Sequence, residues 1–305
     1  MSLYLKLIVS LPALLILASC SGTDNTTKAN AVSDTNNGKS ESTQVLRIAA
    51  AANLAGVLPV VIEAYQAEAA HSKDGQNKDR QNTSDSKPKI EVTYASSGKL
   101  FAQINSGAPY DLFLSADQEF PAKYAQQQAA NKSTAQAPFT YARGQLALYS
   151  RNEDLSSIKT LDKTSLQQLF ITQPNASSHT IRITLANPDL APYGASAKAF
   201  LQQQGIYDEL NDSKRLIQAE NIGQAFQYAH TATTDYGFVA LSQLISAKVD
   251  PSKYLVLKPE SYPAILQDGI VVSDHPKATE FSQYLQSESA QKLFADAGYL
   301  PIAKP

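Results

Sequence analysis

The sequence has one cysteine, one methionine and no tryptophan among its 305 residues. A single cysteine excludes a framework of intramolecular disulfides. The 26 Lys and Arg residues nearly balance the 28 Asp and Glu residues, so the chain lacks the positive charge that nucleic-acid binding requires. Hydrophobic residues make up 43% of the chain, which is enough to build the core of one large domain or two ordinary ones.

Motifs for catalysis and metal binding are also scarce. The phosphate-binding pattern G-x-x-x-x-G-K-[ST] and the hydrolase elbow G-x-S-x-G do not occur. The pattern S-x-x-K occurs at residues 96–99, but it recurs at 84–87 and 156–159, so it is weak support for a Ser hydrolase. The four histidines are scattered without metal-binding spacing: His71, His179, His230 and His275. We therefore expect no metal and no cofactor.

The N-terminus lacks the roughly 20 apolar residues that a membrane-spanning helix needs. A shorter apolar run, Leu7 to Ala18, follows Lys6 and ends at the sequence Leu-Ala-Ser-Cys20. This arrangement is typical of a secretory signal and resembles a bacterial lipobox, in which cleavage precedes an acylated cysteine. We predict a signal peptide over residues 1–19 and a lipid anchor on Cys20.

Two segments are too polar to build a core. Residues 20–43 are dominated by Ser, Thr, Asn and Asp after the cysteine, which predicts a flexible linker. Residues 71–88 contain no apolar residue, which predicts a surface insertion. The globular body is expected to begin near Gln44.

From that point, short apolar runs alternate with segments of helical periodicity. The strands are predicted at 46–51, 90–95, 112–114, 145–149, 182–186, 215–219, 236–240, 254–257 and 270–272. This alternation indicates an α/β fold with open, mostly parallel sheets flanked by helices, and its length suits two lobes.

In such sheets, ligands bind beyond the carboxyl ends of the strands, where helices begin. Asn53, Ser97 and Tyr193 follow predicted strands and offer neutral hydrogen-bond donors, although Asn and Ser are also ordinary helix caps. Asp189 and Glu220 lie near these loops and are expected to point outward. Lys99, beside Ser97, is expected to be a solvated helix residue.

Five ordered motifs together resemble the periplasmic molybdate-binding proteins of ABC importers. They are AAAANL at 49–54, SSGKLFAQINSGAPYDLFLSAD at 96–117, ANPDLAPYG at 186–194, AENIGQAF at 219–226 and DYGFVALS at 235–242. The resemblance implies a two-lobed periplasmic-binding-protein fold of type II, with lobe I at 44–138 and 247–305 and lobe II at 139–246. It also implies an oxyanion held in a cleft by hydroxyl and amide donors, without chemistry.

The resemblance further implies which residues bind the anion. Asn53 and Ser97 match side-chain donors of the family. Tyr193 lies on a loop that gives a backbone N–H or a Tyr hydroxyl, and Ile222 lies where a backbone N–H is given. Ala240 occupies a position of the binding site where some members have a ligand-binding Tyr, and here Tyr193 is expected to supply the phenol instead.

These predictions together describe a monomeric extracytoplasmic lipoprotein, held at a membrane through Cys20 and without nucleic-acid partners. It would capture molybdate, and tungstate as well, and deliver it to an ABC permease. The alternatives are a receptor for sulfate or phosphate, an extracytoplasmic Ser hydrolase, and an adhesin or scaffold lipoprotein that has lost the ligand.

Overall fold

The computed structural model describes residues 45–71, 89–129, 136–172 and 180–302. The predicted signal peptide, Cys20, the linker at 20–43, residues 72–88 of the insertion and His179 lie outside these ranges. Across the described parts, no helix combines the length and the apolar character needed to cross a bilayer. In the same parts, His, Cys, Asp and Glu side chains form no group of three or more that could hold a metal ion.

The strands of the described residues belong to two five-stranded sheets. They are β1 (Leu46–Ala51), β2 (Ile90–Ala95), β3 (Leu112–Leu114), β4 (Phe139–Gly144), β5 (Leu146–Tyr149), β6 (Ile183–Ala186), β7 (Leu216–Ala219), β8 (Tyr236–Ala240), β9 (Tyr254–Val256) and β10 (Ile265–Val271). The first sheet has the order β2-β1-β3-β10-β4, and the second has the order β7-β6-β8-β5-β9.

Helices connect most of these strands. They are α1 (Leu58–His71), α2 (Ser97–Asn105), α3 (Glu119–Ala129), α4 (Lys163–Phe170), α5 (Pro192–Gln203), α6 (Tyr207–Asp212), α7 (Ile222–His230), α8 (Leu241–Ser246), α9 (Pro276–Leu285) and α10 (Glu288–Asp296). Short 3₁₀ helices cover Ala52–Gly56, Pro251–Lys253 and Pro259–Ser261. A 3₁₀ helix thus precedes α1, and Pro59 lies in the first turn of α1, where no N–H is needed.

The two sheets share one pattern of pairing. In the first sheet β1 is parallel to β2 and β3, while β10 is antiparallel to β3 and β4. In the second sheet β6 is parallel to β7 and β8, while β5 is antiparallel to β8 and β9. The two-lobed α/β fold is confirmed, although each sheet is mixed and its parallel pairing is confined to three strands.

The chain passes between the sheets twice. The first passage is at Gln145, between β4 and β5, and the second lies within residues 257–264, between β9 and β10. The predicted lobe boundaries at 138/139 and 246/247 both precede these points. The reason is that β4, which the sequence analysis did not predict, pairs with β10, and β9 pairs with β5.

Candidate functional site

A cleft lies where the carboxyl ends of the parallel strands of both sheets face each other. Its walls come from the segments after β1, β2 and β3 on one side and after β6 and β7 on the other. The lining residues are Ala51, Ala52, Asn53, Ala95, Ser96, Ser97, Ala116, Ala191, Pro192, Tyr193, Asn221 and Ile222. Four of the five residues predicted to bind the anion therefore share one cleft.

No charged side chain is among these lining residues, so the fixed charge at the cleft comes from the ends of helices. Four helices begin at its wall: the 3₁₀ helix Ala52–Gly56, α2, α5 and α7. Helix N-termini carry partial positive charge and present backbone N–H groups without acceptors in their own helix. None of these four helices has an acidic residue in its first turn that would offset this charge.

Ser97 is held in an orientation suited to donation. It is the first residue of α2 and is 1% exposed. Its Oγ accepts a hydrogen bond from the Ala116 N–H at 2.9 Å, which leaves the hydroxyl proton available for another acceptor. The preceding residue, Ser96, also lines the cleft, and its buried Oγ has no partner within the described structure.

Asn53 lies in the 3₁₀ helix after β1 and is buried. Its Nδ2 donates to Gln267 Oε1 at 3.0 Å and to the Tyr299 hydroxyl at 2.9 Å. Its Oδ1 is buried and has no partner in the part of the chain that is described. Its backbone carbonyl accepts from the hydroxyls of Tyr299 and Ser242, both at 3.2 Å. The side chain is thus fixed in position beside the cleft.

Tyr193 brings its phenol from the second lobe to the base of the first. The hydroxyl oxygen accepts from Gln267 Nε2 at 3.1 Å, and a Cβ added at Gly144 would lie 2.1 Å from it. Any side chain at residue 144 would overlap the Tyr193 hydroxyl, so this close approach requires glycine. Burial raises the pKa of the Tyr193 phenol well above its ordinary value, with a further contribution from Tyr299, so the group stays a neutral hydroxyl.

Ile222 contributes the start of α7. Asn221 caps this helix by accepting from the Gln224 N–H at 3.0 Å. The Ile222 carbonyl accepts from Gln243 Nε2, also at 3.0 Å. The N–H of Ile222, the first helical residue, has no acceptor in its own helix and lies at the cleft wall.

Ala240 is the one predicted site residue that the structure does not bring into the cleft. It ends β8, is fully buried and pairs with Leu146 of β5. Its N–H donates to Gln243 Oε1 at 3.0 Å. Because its methyl side chain has no polar atom and its N–H has an acceptor within the lobe, Ala240 has no donor to offer a ligand.

Direct contacts join the two lobes at the edge of the cleft. The Gly98 N–H of α2 donates to the Leu190 carbonyl of the second lobe at 3.0 Å. Lys99 forms an ion pair with Glu220, so it is not simply a solvated residue as expected. Asp189 and Glu220 are both exposed, and neither is among the residues that line the cleft.

Sequence reasoning missed the buried residues that support the site from behind. Gln267 and Tyr299 both contact Asn53, and Tyr141 contacts Gln267 at 3.1 Å. The available signal was the polar pair Gln267-Asp268 inside an otherwise apolar run. Because these two polar residues break the apolar run, the sequence predicted a strand only at 270–272. In the structure β10 begins at Ile265.

The cleft has the features of a binding site, and the described residues around it supply no nucleophile with an adjacent base. Lys99, the partner that an S-x-x-K motif would give Ser96, is paired with Glu220. His230 contacts the Tyr149 hydroxyl at 2.9 Å, and His275 caps α9. Neither histidine belongs to the cleft lining.

Comparisons with known proteins agree with this geometry. A model of the family described as "Bacterial extracellular solute-binding protein" matches residues 46–300. The molybdate-binding protein ModA of Rhodobacter capsulatus is 32% identical over 218 residues, which cover 68% of this chain and 77% of that protein. The putative ABC transporter substrate-binding lipoprotein YvgL of Bacillus subtilis is 26% identical over 301 residues, which cover 97% of each chain.

Among solved structures, the periplasmic molybdate-binding protein of Azotobacter vinelandii matches with a TM-score of 0.67 at 27% identity. The match covers 85% of this chain and 100% of that one. Two mixed sheets with a cleft between them define the class of two-lobed α/β binding proteins. The chain belongs to the bacterial extracellular solute-binding protein family.

Proposed function

We propose that this protein is the substrate-binding component of an ABC importer and that its cleft holds molybdate or the similar dianion tungstate. The proposal rests on the chemistry of the cleft and on the relatives that are named as molybdate-binding proteins. Closure of the two lobes around the anion would be the state that a permease recognises.

A buried tetrahedral dianion needs donors to replace its hydration shell. Here the donors are the hydroxyls of Ser97 and Ser96 and the first-turn N–H groups of Tyr193 and Ile222, and these residues line one space together with Asn53. A hydrogen bond to a charged group contributes about 1.5–3 kcal/mol, so several of them hold the anion without an Arg or Lys. Neutral donors also allow release, because no ion pair has to be broken when the lobes open.

One observation carries the proposal: four helices without an acidic residue in the first turn begin at a cleft whose wall contains two buried polar side-chain atoms without partners in the described structure. These atoms are Asn53 Oδ1 and Ser96 Oγ. Buried polar atoms are rarely left without partners, so their presence at one cleft points to a ligand.

The same observation gives hydrogen phosphate as a second candidate. Asn53 Oδ1 is an acceptor, and a monoprotonated anion has a proton to donate to it. Sulfate, a third tetrahedral anion, has no proton to donate and is smaller than molybdate. A carboxylate, which would be the stronger acceptor for a protonated anion, is absent from the residues that line the cleft.

A thermal-shift screen of the purified protein with molybdate, tungstate, sulfate and phosphate tests the proposal. We expect a large rise in Tm with molybdate and tungstate and little change with the other two anions. A rise with phosphate alone would favour the second candidate. No shift with any anion would contradict the oxyanion function and favour a scaffold role.

We further propose that Cys20 carries the lipid anchor and that the protein is a monomer held at a membrane on its extracytoplasmic side. The named lipoprotein YvgL, which matches almost the whole chain, supports the anchor. Cys20→Ser should release the protein from the membrane fraction while leaving the Tm shift with molybdate unchanged. Retention of the variant in the membrane fraction would contradict the anchor.

A further inference from the structure

Gln267 is a polar residue at the centre of a buried network that joins both lobes. It lies on β10, next to a shift in the register with β4, and its side chain is fully buried. Its Oε1 accepts from Asn53 and from the Tyr141 hydroxyl, and its Nε2 donates to the Tyr193 hydroxyl. One carboxamide therefore contacts two residues that line the cleft.

In this arrangement the hydrogens of the network do not match its acceptors. Tyr141 has one hydroxyl proton, yet its oxygen lies 2.7 Å from the Ser115 carbonyl and 3.1 Å from Gln267 Oε1, which are both acceptors. Asn53 Oδ1 has no donor within the described structure. The Tyr141 hydroxyl thus lacks a proton for one of its two neighbouring acceptors, and Asn53 Oδ1 lacks a donor.

Rotating both carboxamides by 180°, without moving any other heavy atom, relieves the mismatch at Tyr141 and gives Asn53 Oδ1 two donors, Gln267 Nε2 and the Tyr299 hydroxyl. The Tyr299 proton is then no longer available to the Asn53 carbonyl, which keeps Ser242 as its donor. Gln267 Nε2 then donates to Asn53 Oδ1 and to the Tyr141 oxygen, and Tyr141 donates to Ser115 alone. Tyr193 reverses its role and donates to Gln267 Oε1. The remaining unpaired group is Asn53 Nδ2, which now occupies the place that Oδ1 held beside the cleft.

The two arrangements differ in what they offer a ligand. The first presents an acceptor to the cleft and the second presents a donor. A fully deprotonated tetrahedral dianion has only acceptors, so it can bond to Asn53 only in the second arrangement. In the second arrangement Gln267 donates to Asn53 Oδ1 and the anion accepts from Asn53 Nδ2, so Gln267 and the bound anion favour the same orientation of the Asn53 amide.

We propose that Gln267 is a positioning residue that determines which end of the Asn53 amide faces the ligand. Binding of the dianion then selects the arrangement in which Gln267 donates to Asn53 and Asn53 donates to the anion. This inference rests on the proposed oxyanion function and deepens it. It also assigns Tyr193 a role through its backbone N–H, because its phenol proton is used by Gln267.

Gln267→Met tests the inference, since methionine keeps the length of the side chain and removes both hydrogen-bonding ends. Thr184→Val is the matched control, because it removes a buried hydroxyl without a partner in the described structure, outside the cleft lining. Isothermal titration calorimetry with molybdate should show at least about tenfold weaker binding for Gln267→Met and unchanged binding for the control.

The second measurement follows the Asn53 amide directly by NMR, because the inference predicts a change at that group as well as a loss of affinity. Protein labelled with ¹⁵N-asparagine should show a shift of the Asn53 side-chain NH₂ signals on addition of molybdate to the wild type. The signals are assigned by their loss in Asn53→Ser. In Gln267→Met the shift should be smaller at saturating molybdate.

Two outcomes would overturn the inference alone: wild-type binding of molybdate with equal binding by Gln267→Met, or binding without any response of the Asn53 amide. The second is measured on the wild type and holds even if the Gln267 variant does not fold. If the wild type binds no oxyanion, the proposed function fails first and the role of Gln267 falls with it.

Discussion

At the scale of single residues, the cleft is defined by side chains whose bonds to the protein leave one polar end free. Ser97 accepts from Ala116 and keeps its proton, while Asn53 is fixed by Gln267 and Tyr299. A buried polar atom without a partner costs about 1–3 kcal/mol. A ligand that supplies the missing partners removes this cost, which favours its binding.

Removal of either donor should weaken binding. Ser97→Ala and Asn53→Ala are each expected to weaken the binding free energy for molybdate by about 1–3 kcal/mol, since each removes one bond to a charged ligand. Calorimetry checks this, with Thr234→Val as a control that removes a buried hydroxyl outside the cleft. Unchanged affinity in both variants would refute the assignment of the site.

Gly144 should tolerate no side chain. In Gly144→Ala the new Cβ would lie 2.1 Å from the Tyr193 hydroxyl and 2.7 Å from Gln267 Nε2, so the phenol and the amide must move apart. We expect a lower Tm and weaker molybdate binding, measured by thermal shift and calorimetry. Tyr193→Phe keeps the ring and should lower the Tm less. Wild-type behaviour of Gly144→Ala would show that the contact is not maintained in solution.

At the scale of elements, helices α2, α5 and α7 and the 3₁₀ helix after β1 all begin at the same place. This follows from the parallel strand pairs, because the carboxyl ends of parallel strands lie at one edge of the sheet and each following helix begins there. The cleft edge is closed by the bond from Gly98 to Leu190 and by the exposed Lys99–Glu220 ion pair. Exposed ion pairs contribute about 0–1 kcal/mol, so the backbone contact is the larger restraint.

Gly98 allows the two lobes to approach closely. A Cβ at this position would lie 3.1 Å from Leu190 Cδ2 and 3.2 Å from Leu190 Cα, which is tighter than ordinary packing. Gly98→Ala should hold the cleft partly open and increase the dissociation rate of molybdate, which stopped-flow fluorescence can measure. Adding Leu190→Ala to this variant should return the dissociation rate part of the way to that of the wild type. An unaltered rate in Gly98→Ala would argue against closure at this contact.

At the scale of the whole molecule, two short passages of the chain connect the lobes, and buried tyrosines from both meet between them. Burial raises the pKa of Tyr299 to about 12 and raises the pKa values of Tyr141 and Tyr193 well above their ordinary value. An unfolded tyrosine ionises near pH 10. These phenols therefore stabilise the folded state fully below that pH and progressively less above it.

The folded protein should thus lose stability as the pH rises through the window from about 10 to 12. Urea unfolding at pH 8, 9.5 and 11 should show a falling free energy of unfolding. Tyr299→Phe removes one of the ionising groups, so its stability should decline less steeply over the same range, even if it is lower at pH 8. Parallel declines in the two proteins would contradict the role of this phenol.

The sequence by itself determined the elements whose signals are local. The apolar runs predicted β3 and β8 with their observed bounds, and the residues after β1, β2 and β6 were recognised as lying where helices begin. The resemblance added the pairing of these loops across a cleft. The lipid anchor at Cys20, the lobe boundaries and the binding roles of the site residues stay predictions.

Only the tertiary structure decided which residues support the site and which of the predicted residues are excluded from it. Gln267 and Tyr299 contact Asn53 across separations of 214 and 246 residues, and no local pattern encodes such a contact. Ala240 is excluded because the Gln243 side chain takes up its N–H. Both outcomes depend on strand register and on burial, which are properties of the packed chain and not of any short segment.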